Sequence, residues 1–376
     1  MNVVNPSTSL KASPSRLARI AEARQSLMKE GRAITPGWVA PWVERSWQRC
    51  LNSGLQPGSD ISFVQVTAPT LRHTLEANHS LIAAAQPMLQ SLARAIVNTR
   101  YFAILTNADG VVVDACGAID HTDPRAHLIS RVGTDLSERS MGTTAIGTAL
   151  SELQPVWLHR GEHFFDQTSV YSCAGAPLFG PDGGCVGMLD VTGVDAQERP
   201  ELKHLVMQSA SKIENALVTA LPHALLLRLN WPGNTLGSDA DGMLCLDPEG
   251  WITGANPVAR QMVPGLAAPG QTPVHISEVF GVPFEPLFDA AKRPGHSIEL
   301  PLWSGLRLQA LAVTRADEAR TLHASPGAAP TRALREVEAA MIRKAVDEAR
   351  GNVGQAARAL GISRATLYRK LGQKVA

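Results

Sequence analysis

The C-terminal residues, 330–376, carry the pattern that most restricts the fold of this 376-residue chain. Apolar residues recur at helical spacing after Gly351, Gly361 interrupts them, and a second apolar stripe follows. The apolar positions are Val353, Ala356, Ala357, Leu360, Ile362, Leu367 and Leu371. Two short helices joined by a tight turn form the helix-turn-helix pattern, in which small alanines allow the helices to cross closely.

Charge is segregated onto the same segment. Residues 330–376 contain 10 Lys and Arg against 4 Asp and Glu, whereas the rest of the chain contains 25 against 30. A basic end on a nearly neutral protein is the electrostatic footprint of nucleic-acid binding. The alternative is an alanine-rich helix whose basic face is only solvated. The glycine-flanked start and the Gly361-Ile-Ser363 turn favour DNA binding.

These residues closely resemble the Fis-type C-terminal domain of bacterial transcription regulators, over nearly all of residues 332–376. The resemblance implies that the second helix of the motif, residues 364–371, enters the major groove of double-stranded DNA. The implied DNA-binding residues are Gln355, Ser363, Arg364, Thr366, Tyr368, Arg369 and Lys370. Arginine pairs bidentately with guanine edges, whereas lysine and hydroxyl side chains more often hold phosphates.

The helix before the motif carries two apolar stripes. One contains Leu334, Val337, Met341 and Ala345, and the other contains Ala339, Ile342, Val346 and Ala349. One stripe can cover the helix-turn-helix core, and in Fis-type domains the second packs on the same helix of another chain. Burial of both stripes within one chain is the alternative, but so short a segment buries a core poorly alone. We therefore expect a homodimer that binds an inverted-repeat operator.

Composition places the chain among ordinary globular proteins. It is 44% hydrophobic and 18% charged, with no apolar run of membrane-spanning length and no N-terminal signal pattern. Its five cysteines form no Cys-x-x-Cys pair, which is typical of reduced thiols. We expect a cytoplasmic protein that does not associate with membranes.

Changes in composition along the chain predict a multidomain α+β protein. We predict an N-terminal tail and helical segment at residues 1–74, with disorder up to about residue 15. An α/β domain at 75–220 and a smaller one at 236–315 follow, separated by a junction at 221–237 that is rich in Pro, Gly and Asn. A flexible linker at 316–331 leads to the all-α domain at 332–376.

The sequence of residues 75–220 predicts a helix, two β-hairpins and a second helix. The predicted helices cover 75–98 and 198–217, and the predicted strands cover 101–106, 111–115, 176–179 and 185–192. The sequence contains the motifs Arg45-Ser-Trp-Gln-Arg-Cys50, Gly54-Leu-Gln-Pro57, Met141-Gly-Thr-Thr-Ala-Ile-Gly-Thr-Ala-Leu150, Gly161-Glu-His-Phe164, Cys173-Ala-Gly-Ala-Pro177 and Gly187-Met-Leu-Asp-Val-Thr-Gly193. With these motifs, the domain resembles a GAF sensory domain of the acetoin-catabolism-regulator type.

A sensory domain implies a small-molecule effector and a pocket that binds it. The candidate wall residues are Trp157, His163, Phe164, Tyr171 and Cys173, although the same residues would also suit an ordinary core. Arg139, with Ser140 and Thr143, is a candidate handle for a polar group. His159 and His163 are four residues apart, but Arg160-Gly161 disfavours a helix that would pair them on a metal. No metal or cofactor is predicted.

In residues 236–315, strands are predicted at 243–246, 251–256, 297–302 and 306–313, and Pro257 suits the first turn of a helix. This pattern is similar to the opening of a PAS domain. The Asn-Cys-Arg motif of flavin-binding relatives is absent from the sequence. Neither His275 nor His296 is predicted to bind haem.

Most relatives with this N-terminal half carry an ATPase between the sensor and the DNA-binding domain. This sequence has no phosphate loop and no Gly-Lys dipeptide, so ATP-driven promoter opening is not expected of it. The interpretation that remains is a ligand-responsive DNA-binding regulator. Such a regulator would recruit RNA polymerase, block it or modulate a full-length relative. The alternatives are a thiol-based redox sensor and an enzyme with Cys173 as nucleophile beside His163.

Overall fold

Two five-stranded antiparallel sheets organise the part of the chain that the structure describes. The computed structural model describes residues 15–293, 295–314 and the positions Val353, Gln355, Ala357 and Leu367. Both sheets lie in the first of two units, Met1–Arg315; the second unit is Ala316–Ala376. Among the described residues, no helix is both long and apolar enough to cross a membrane.

The first sheet has the strand order β2-β1-β5-β4-β3. Its strands are β1 (Tyr101–Asn107), β2 (Val112–Gly117), β3 (Val156–His159), β4 (Tyr171–Phe179) and β5 (Cys185–Val194). The helices of this half are α1 (Arg16–Arg24), α2 (Pro41–Asn52), α3 (Ala68–Ala77), α4 (His79–Ala95), α5 (Pro124–Ser130), α6 (Glu138–Met141), α7 (Ala145–Glu152) and α8 (Leu202–Ala220). A π-helical turn at Gln25–Lys29 and 3-10 turns at Arg160–Glu162 and Asp166–Val170 complete it.

Tight turns close both predicted hairpins. In the β1–β2 turn, the Asn107 side-chain oxygen accepts hydrogen bonds from the amides of Asp109 and Val111, at 3.1 and 2.9 Å. Gly110 has a φ of +84°, a conformation that favours glycine. In the β4–β5 turn, the Gly180 amide donates to the Gly184 carbonyl at 2.8 Å. Both turns match the sequence prediction.

Alternation along the strands gives the first sheet two buried faces. Tyr101, Ala103 and Leu105 of β1 share a cluster with residues of α4 and α8. Phe102 and Ile104 point the other way, into a cluster with residues of α1, α2 and α5–α7. Helices therefore cover both faces, and the second cluster contains the candidate site.

The N-terminal helices belong to that second cluster. Ile20 of α1 and Trp47 of α2 are buried in it together with Met141 and Phe164. The boundary expected at residue 74 therefore does not divide the core, because α1 and α2 supply part of it. The helix predicted at 75–98 is two helices, α3 and α4, that meet at Asn78.

The second sheet has the order β8-β7-β6-β10-β9. Its elements are β6 (Leu225–Asn230), β7 (Gly242–Leu246), β8 (Ile252–Ala255), α9 (Pro257–Met262), α10 (Ile276–Val279), α11 (Glu285–Ala291), β9 (Ser297–Pro301) and β10 (Arg307–Val313). The strand β6 is central and buried, so the junction predicted at 221–237 is wrong over these residues. Their apolar run, interrupted only by Arg228, forms the middle of a sheet.

The predicted helix-turn-helix lies almost entirely outside the described residues. Of residues 316–376, only Val353, Gln355, Ala357 and Leu367 are described, each in a helix. Ala357 and Leu367 are buried, as expected for the apolar stripe, and Gln355 is exposed. The predicted disordered N-terminus, the linker at 316–331 and the paired stripes of residues 334–349 lie outside these residues.

Candidate ligand-binding site

A small cavity of about 30 Å³ lies between the first sheet and the helices that cover it. The sheet contributes Ile104, Tyr171, Cys173, Asp190 and Thr192 to its lining. The helices and loops contribute Ile129, Leu136, Met141, Thr144, Ala145, Ile146, His163 and Thr168. Its accessible walls are apolar, and binding sites for small organic molecules are lined mainly by apolar side chains.

His163 and Cys173 form a buried polar pair at the cavity. His163 Nδ1 lies 3.0 Å from the Arg160 carbonyl, which can only accept, so this nitrogen carries the proton. His163 Nε2 is then an acceptor, and it lies 3.4 Å from Cys173 Sγ. The thiol of Cys173 therefore donates to the imidazole of His163.

Burial keeps both groups neutral. It lowers the pKa of His163 to about 4, so the imidazole is uncharged at neutral pH. Burial also raises the pKa of Cys173 well above its ordinary value, and the neighbouring Asp190 raises it further. A catalytic thiolate needs the opposite shift, so this pair does not favour the nucleophilic alternative.

Asp190 is the acidic group of the cavity. Its side chain is fully buried, and the Thr192 hydroxyl hydrogen-bonds its Oδ2. Its Oδ1 accepts no hydrogen bond from any described residue. Burial raises the pKa of Asp190 to about 7, against the hydrogen bond from Thr192. A buried polar atom left unpaired destabilises a protein by roughly 1–3 kcal/mol, so this oxygen has a strong preference for a donor.

The loop that carries His163 is fixed by the N-terminal helices. The Arg24 guanidinium donates to the carbonyls of Gly161, His163 and Phe164, and also pairs with Asp166 at 2.7 Å. The Trp47 indole donates to the Glu162 carbonyl at 2.9 Å. These bonds explain how the short segment between two 3-10 turns holds the His163 imidazole in one orientation.

The structure brings three of the predicted pocket residues together. His163, Tyr171 and Cys173 line the cavity. The Tyr171 hydroxyl donates to the Arg125 carbonyl at 3.1 Å, which leaves its ring against the cavity. Their convergence depends on β4 and the preceding loop, which the sequence motifs had suggested.

The other three predicted residues lie elsewhere. Trp157 pairs with Ala174 in the β3–β4 ladder, whereas its neighbour Leu158 pairs with Cys173. Strand alternation therefore turns Trp157 to the opposite face of the sheet, against α4 and α8. Phe164 is buried against Gly142, where an added Cβ would lie 2.9 Å from the Phe164 Cβ.

Arg139 is exposed and lines an outer groove of about 790 Å³ rather than the cavity. The groove also contains Arg49, Glu138 and Ser151. Arg49 is held by Glu138 and Glu152, with nitrogen–oxygen distances of 2.8 and 2.6 Å. The proposed partner residues Ser140 and Thr143 are absent from the lining of the cavity as described.

Sequence reasoning missed Asp190 and Thr192. Both lie in the quoted motif Gly187-Met-Leu-Asp-Val-Thr-Gly193, which was used only as a mark of resemblance. Asp190 stands opposite Gly175, and Thr192 stands opposite Cys173. An acidic residue at an inward position of a buried strand is the signal that would have found the site.

The cysteines do not favour a redox site. All five are present as thiols in the described part of the chain. Burial raises the pKa of Cys50, Cys173 and Cys185, which disfavours the reactive thiolate form. Of the predicted DNA-binding residues, only Gln355 is described, and it is exposed on a helix.

The fold and cavity define a sensor-like α/β module, and comparison with known families shows which one. Residues 18–215 match the model of the MimR N-terminal domain, and residues 333–373 match that of bacterial regulatory proteins of the Fis family. The chain belongs to the MimR N-terminal-domain family. These matches confirm the resemblance to acetoin-type regulators with a Fis-type helix-turn-helix.

Two curated relatives are similar in sequence to this chain. The chain is 33% identical over 257 residues to the acetoin catabolism regulatory protein of Cupriavidus necator, covering 66% of this chain and 37% of that protein. It is 31% identical to the propane 2-monooxygenase operon transcriptional activator MimR of Mycolicibacterium goodii, covering 59% and 38%. The chain thus spans well under half the length of these relatives.

A solved structure also resembles the chain. It is the Escherichia coli DhaR(N)–DhaL complex, which matches with a TM-score of 0.45 and 15% identity, covering 73% of this chain and 99% of that chain.

Proposed function

We propose that this protein is a ligand-responsive, sequence-specific DNA-binding regulator of transcription. The observation that carries the proposal is that one chain joins a MimR-type N-terminal domain to a Fis-type segment. The names of its relatives concern acetoin catabolism and a propane 2-monooxygenase operon. We therefore propose a catabolic operon as its target and the cytoplasm as its location.

We assign the first sheet with its helices to a GAF-like sensor and the second to a PAS-like domain. A central antiparallel sheet covered by helices supports both assignments. The effector is a small organic molecule that binds in the cavity beside His163, Tyr171 and Cys173. Arg139, Trp157 and Phe164 are left out of the proposed contact set because their side chains do not line that cavity.

The proposed DNA interface is the second helix of the Fis-type segment. Its contacts are Gln355, Ser363, Arg364, Thr366, Tyr368, Arg369 and Lys370. A homodimer formed through residues 334–349 would read an inverted repeat with half-sites about one helical turn apart. The proposed action does not involve ATP hydrolysis, because the sequence contains no phosphate loop. RNA polymerase or a full-length relative is the proposed downstream partner.

DNA binding by Arg364 variants tests this proposal. An operator selected from random duplexes is titrated with the full chain while fluorescence anisotropy is recorded. Arg364→Ala is expected to weaken binding by about 1–3 kcal/mol if Arg364 reads a base. Arg307→Ala is the matched control, because Arg307 lies on the second sheet, paired with Glu299. Equal affinities for both variants and the wild type would contradict the proposal.

A further inference from the structure

We propose that the cavity of the first sheet opens between α5 and the 3-10 turn Arg160–Glu162 (the entry turn), and that Asp195 is the latch that holds this opening closed. The proposal rests on the proposed function, because it describes how an effector enters the cavity assigned to it there. It depends on the size of the cavity, on the ion pairs of Asp195 and on the groups that the paired arginines hold in place.

The cavity is too small for a metabolite unless the elements that cover it move. One water molecule needs roughly 10–15 Å³ of such space, and the cavity measures about 30 Å³. Pockets that bind organic ligands typically measure roughly 300–1,000 Å³. The structure therefore describes a closed state of the cavity, and an effector has to part some of the elements that line it.

The elements that line the cavity are not equally well anchored. The strands are held by their ladders, and α6 and α7 are held to α2, because Arg49 pairs with Glu138 and Glu152 at 2.8 and 2.6 Å. Ile129 lies on α5, and His163 directly follows the entry turn. Ion pairs that reach the solvent join α5 to this turn. These two elements are therefore the ones that part most easily.

Asp195 joins the two elements through both oxygens of its carboxylate. Its Oδ2 pairs with Arg125 of α5 at 2.7 Å, and its Oδ1 pairs with Arg160 of the entry turn at 2.9 Å. Arg160 and Asp195 have φ values of +52° and +46°, a conformation that residues other than glycine rarely adopt. Such residues persist where neighbouring contacts hold them, and the ion pair between these two is one such contact.

The same two arginines hold the polar ends of two side chains of the cavity. The Tyr171 hydroxyl donates to the Arg125 carbonyl at 3.1 Å. His163 Nδ1 donates to the Arg160 carbonyl at 3.0 Å. The rings of Tyr171 and His163 both line the cavity, with centroids 6.3 Å apart. Movement of either arginine therefore moves a wall of the cavity, and one carboxylate opposes both movements.

The position of the latch at the surface makes it sensitive to salt. The side chains of Arg125, Arg160 and Asp195 are 44%, 36% and 40% exposed, so added salt screens their attraction. An exposed ion pair shifts an equilibrium by up to about fivefold, so loss of both pairs should favour the open state by about threefold to 20-fold. Cys173 lines the cavity and is buried, so the reactivity of its thiol reports the opening.

The test is the rate at which iodoacetamide modifies Cys173 in the full chain, measured by mass spectrometry. Asp195→Asn is the main variant, because asparagine keeps the size of the side chain and tolerates a positive φ but carries no charge. It should raise the rate about threefold to 20-fold. Raising sodium chloride from about 0.05 M to about 1 M should raise the rate in the wild type and leave that of Asp195→Asn unchanged.

Asp123→Asn is the matched control. Asp123 pairs with the same Arg125 at 2.8 Å, but it lies at the start of α5 and bonds no residue of the entry turn among the described residues. Asparagine also caps helices, so this variant should leave the Cys173 rate within about twofold of the wild type. Cys245, buried in the second sheet, reports general unfolding, and half-buried Cys116 is the reference for the reagent.

The outcomes separate the latch from the proposed function. A wild-type rate at Cys173 in Asp195→Asn, an equal effect of salt on both proteins, or an equal acceleration by Asp123→Asn would overturn the latch. Faster modification of Cys245 together with Cys173 would also overturn it, because Asp195→Asn would then loosen the chain generally. No effector is used, so these outcomes leave the proposed function standing; that function fails on its own test, the DNA binding of Arg364 variants.

Discussion

Asp190 and Glu214 are two buried acidic residues that differ in their hydrogen bonds. Asp190 faces the cavity on one side of the first sheet, whereas Glu214 lies on α8, which covers the other side. Glu214 has a backbone donor for its Oε1, but the Oδ1 of Asp190 has none among the described residues. Burial alone accounts for a raised pKa in both residues, and the unpaired oxygen is particular to Asp190.

Asp190→Asn is expected to change how stability depends on pH. The pKa of Asp190 is raised from 3.8 to about 7 in the folded protein. Its contribution to stability is therefore fully present below pH about 4 and is lost as pH rises through about 7. A shift of this size corresponds to at most about 4 kcal/mol. Relative to the wild type, the variant should gain stability as pH rises from about 4 to about 7, as measured by urea unfolding.

Glu214→Gln serves as the second arm of the same experiment. The pKa of Glu214 is raised in the same direction as that of Asp190. The Glu214→Gln variant should therefore also reduce the dependence of stability on pH. The two residues lie on opposite sides of the sheet, and the double variant should show nearly additive changes. A pH profile for Asp190→Asn that superimposes on the wild type would show that Asp190 is ionised normally.

At the residue scale, the sequence predicted which residues carry the motifs better than it predicted the face of the sheet to which each side chain points. His163, Tyr171 and Cys173 stand in quoted motifs, and they do line one cavity. Trp157 was misplaced because its direction depends on the register of β3 against β4. A shift of one residue turns every side chain of a strand to the other face, and no local pattern reveals that register across a loop.

Among the elements, the N-terminal helices are the ones most closely tied to the cavity. Trp47 is completely buried and bonds the 3-10 turn that precedes His163. Trp47→Ala is expected to destabilise the protein by about 3–5 kcal/mol, because it leaves a large cavity in the core. Chemical denaturation would measure this change. Trp303→Ala is the control, since the Trp303 side chain is 73% exposed and should contribute within about 0.5 kcal/mol. Equal losses would contradict the assigned role of α2.

Arg24 should control access to the cavity. Its guanidinium bonds three carbonyls of the loop around His163, and Arg24→Met removes all of these donors. We expect the variant to lose about 1–3 kcal/mol of stability and to expose Cys173 to alkylation. Mass spectrometry after iodoacetamide treatment measures the rate at Cys173, with half-buried Cys116 as the internal reference. An unchanged rate ratio would show that the loop keeps its position without Arg24.

Element prediction succeeded where turns were strong and failed where composition was ambiguous. The Asn107 and Gly180 turns identified two hairpins correctly. The strand β6 was missed because Pro and Gly flank its apolar residues, which gave the region the composition of a linker. Its pairing with β7 and β10 stabilises it, and those contacts are distant in sequence.

For the whole molecule, the two sheets are joined by more than a linker. The Pro181 carbonyl, in the β4–β5 turn, accepts from the Ala255 amide at 2.8 Å and from Arg260 at 2.7 Å. The side chains of Asn215 on α8 and Asn256 are bonded at 2.8 Å. These contacts are a physical route by which a change in β4 or β5 would reach the second sheet.

Dimerisation through residues 334–349 is a prediction for the DNA-binding end. Ile342→Asp places a charge in the stripe predicted to pack on a second chain, so DNA affinity should fall without loss of any DNA contact. Sedimentation would measure the oligomeric state and anisotropy the affinity. Arg343→Asp, one residue along, is the control for charge, and it should weaken DNA binding while leaving the oligomeric state unchanged. A monomeric wild type that still protects a symmetric site would contradict the prediction.

The central claim is that occupancy of the sheet cavity changes DNA affinity, and one titration tests it most directly. Anisotropy of a labelled operator is followed against the full chain, with and without a saturating effector, for the wild type and Ala145→Val, which fills the cavity. The account predicts that the effector shifts the dissociation constant of the wild type by about 5-fold to 150-fold and leaves that of Ala145→Val unchanged. An equal effector response in both proteins would contradict the claim, because regulation would then act through some other part of the chain.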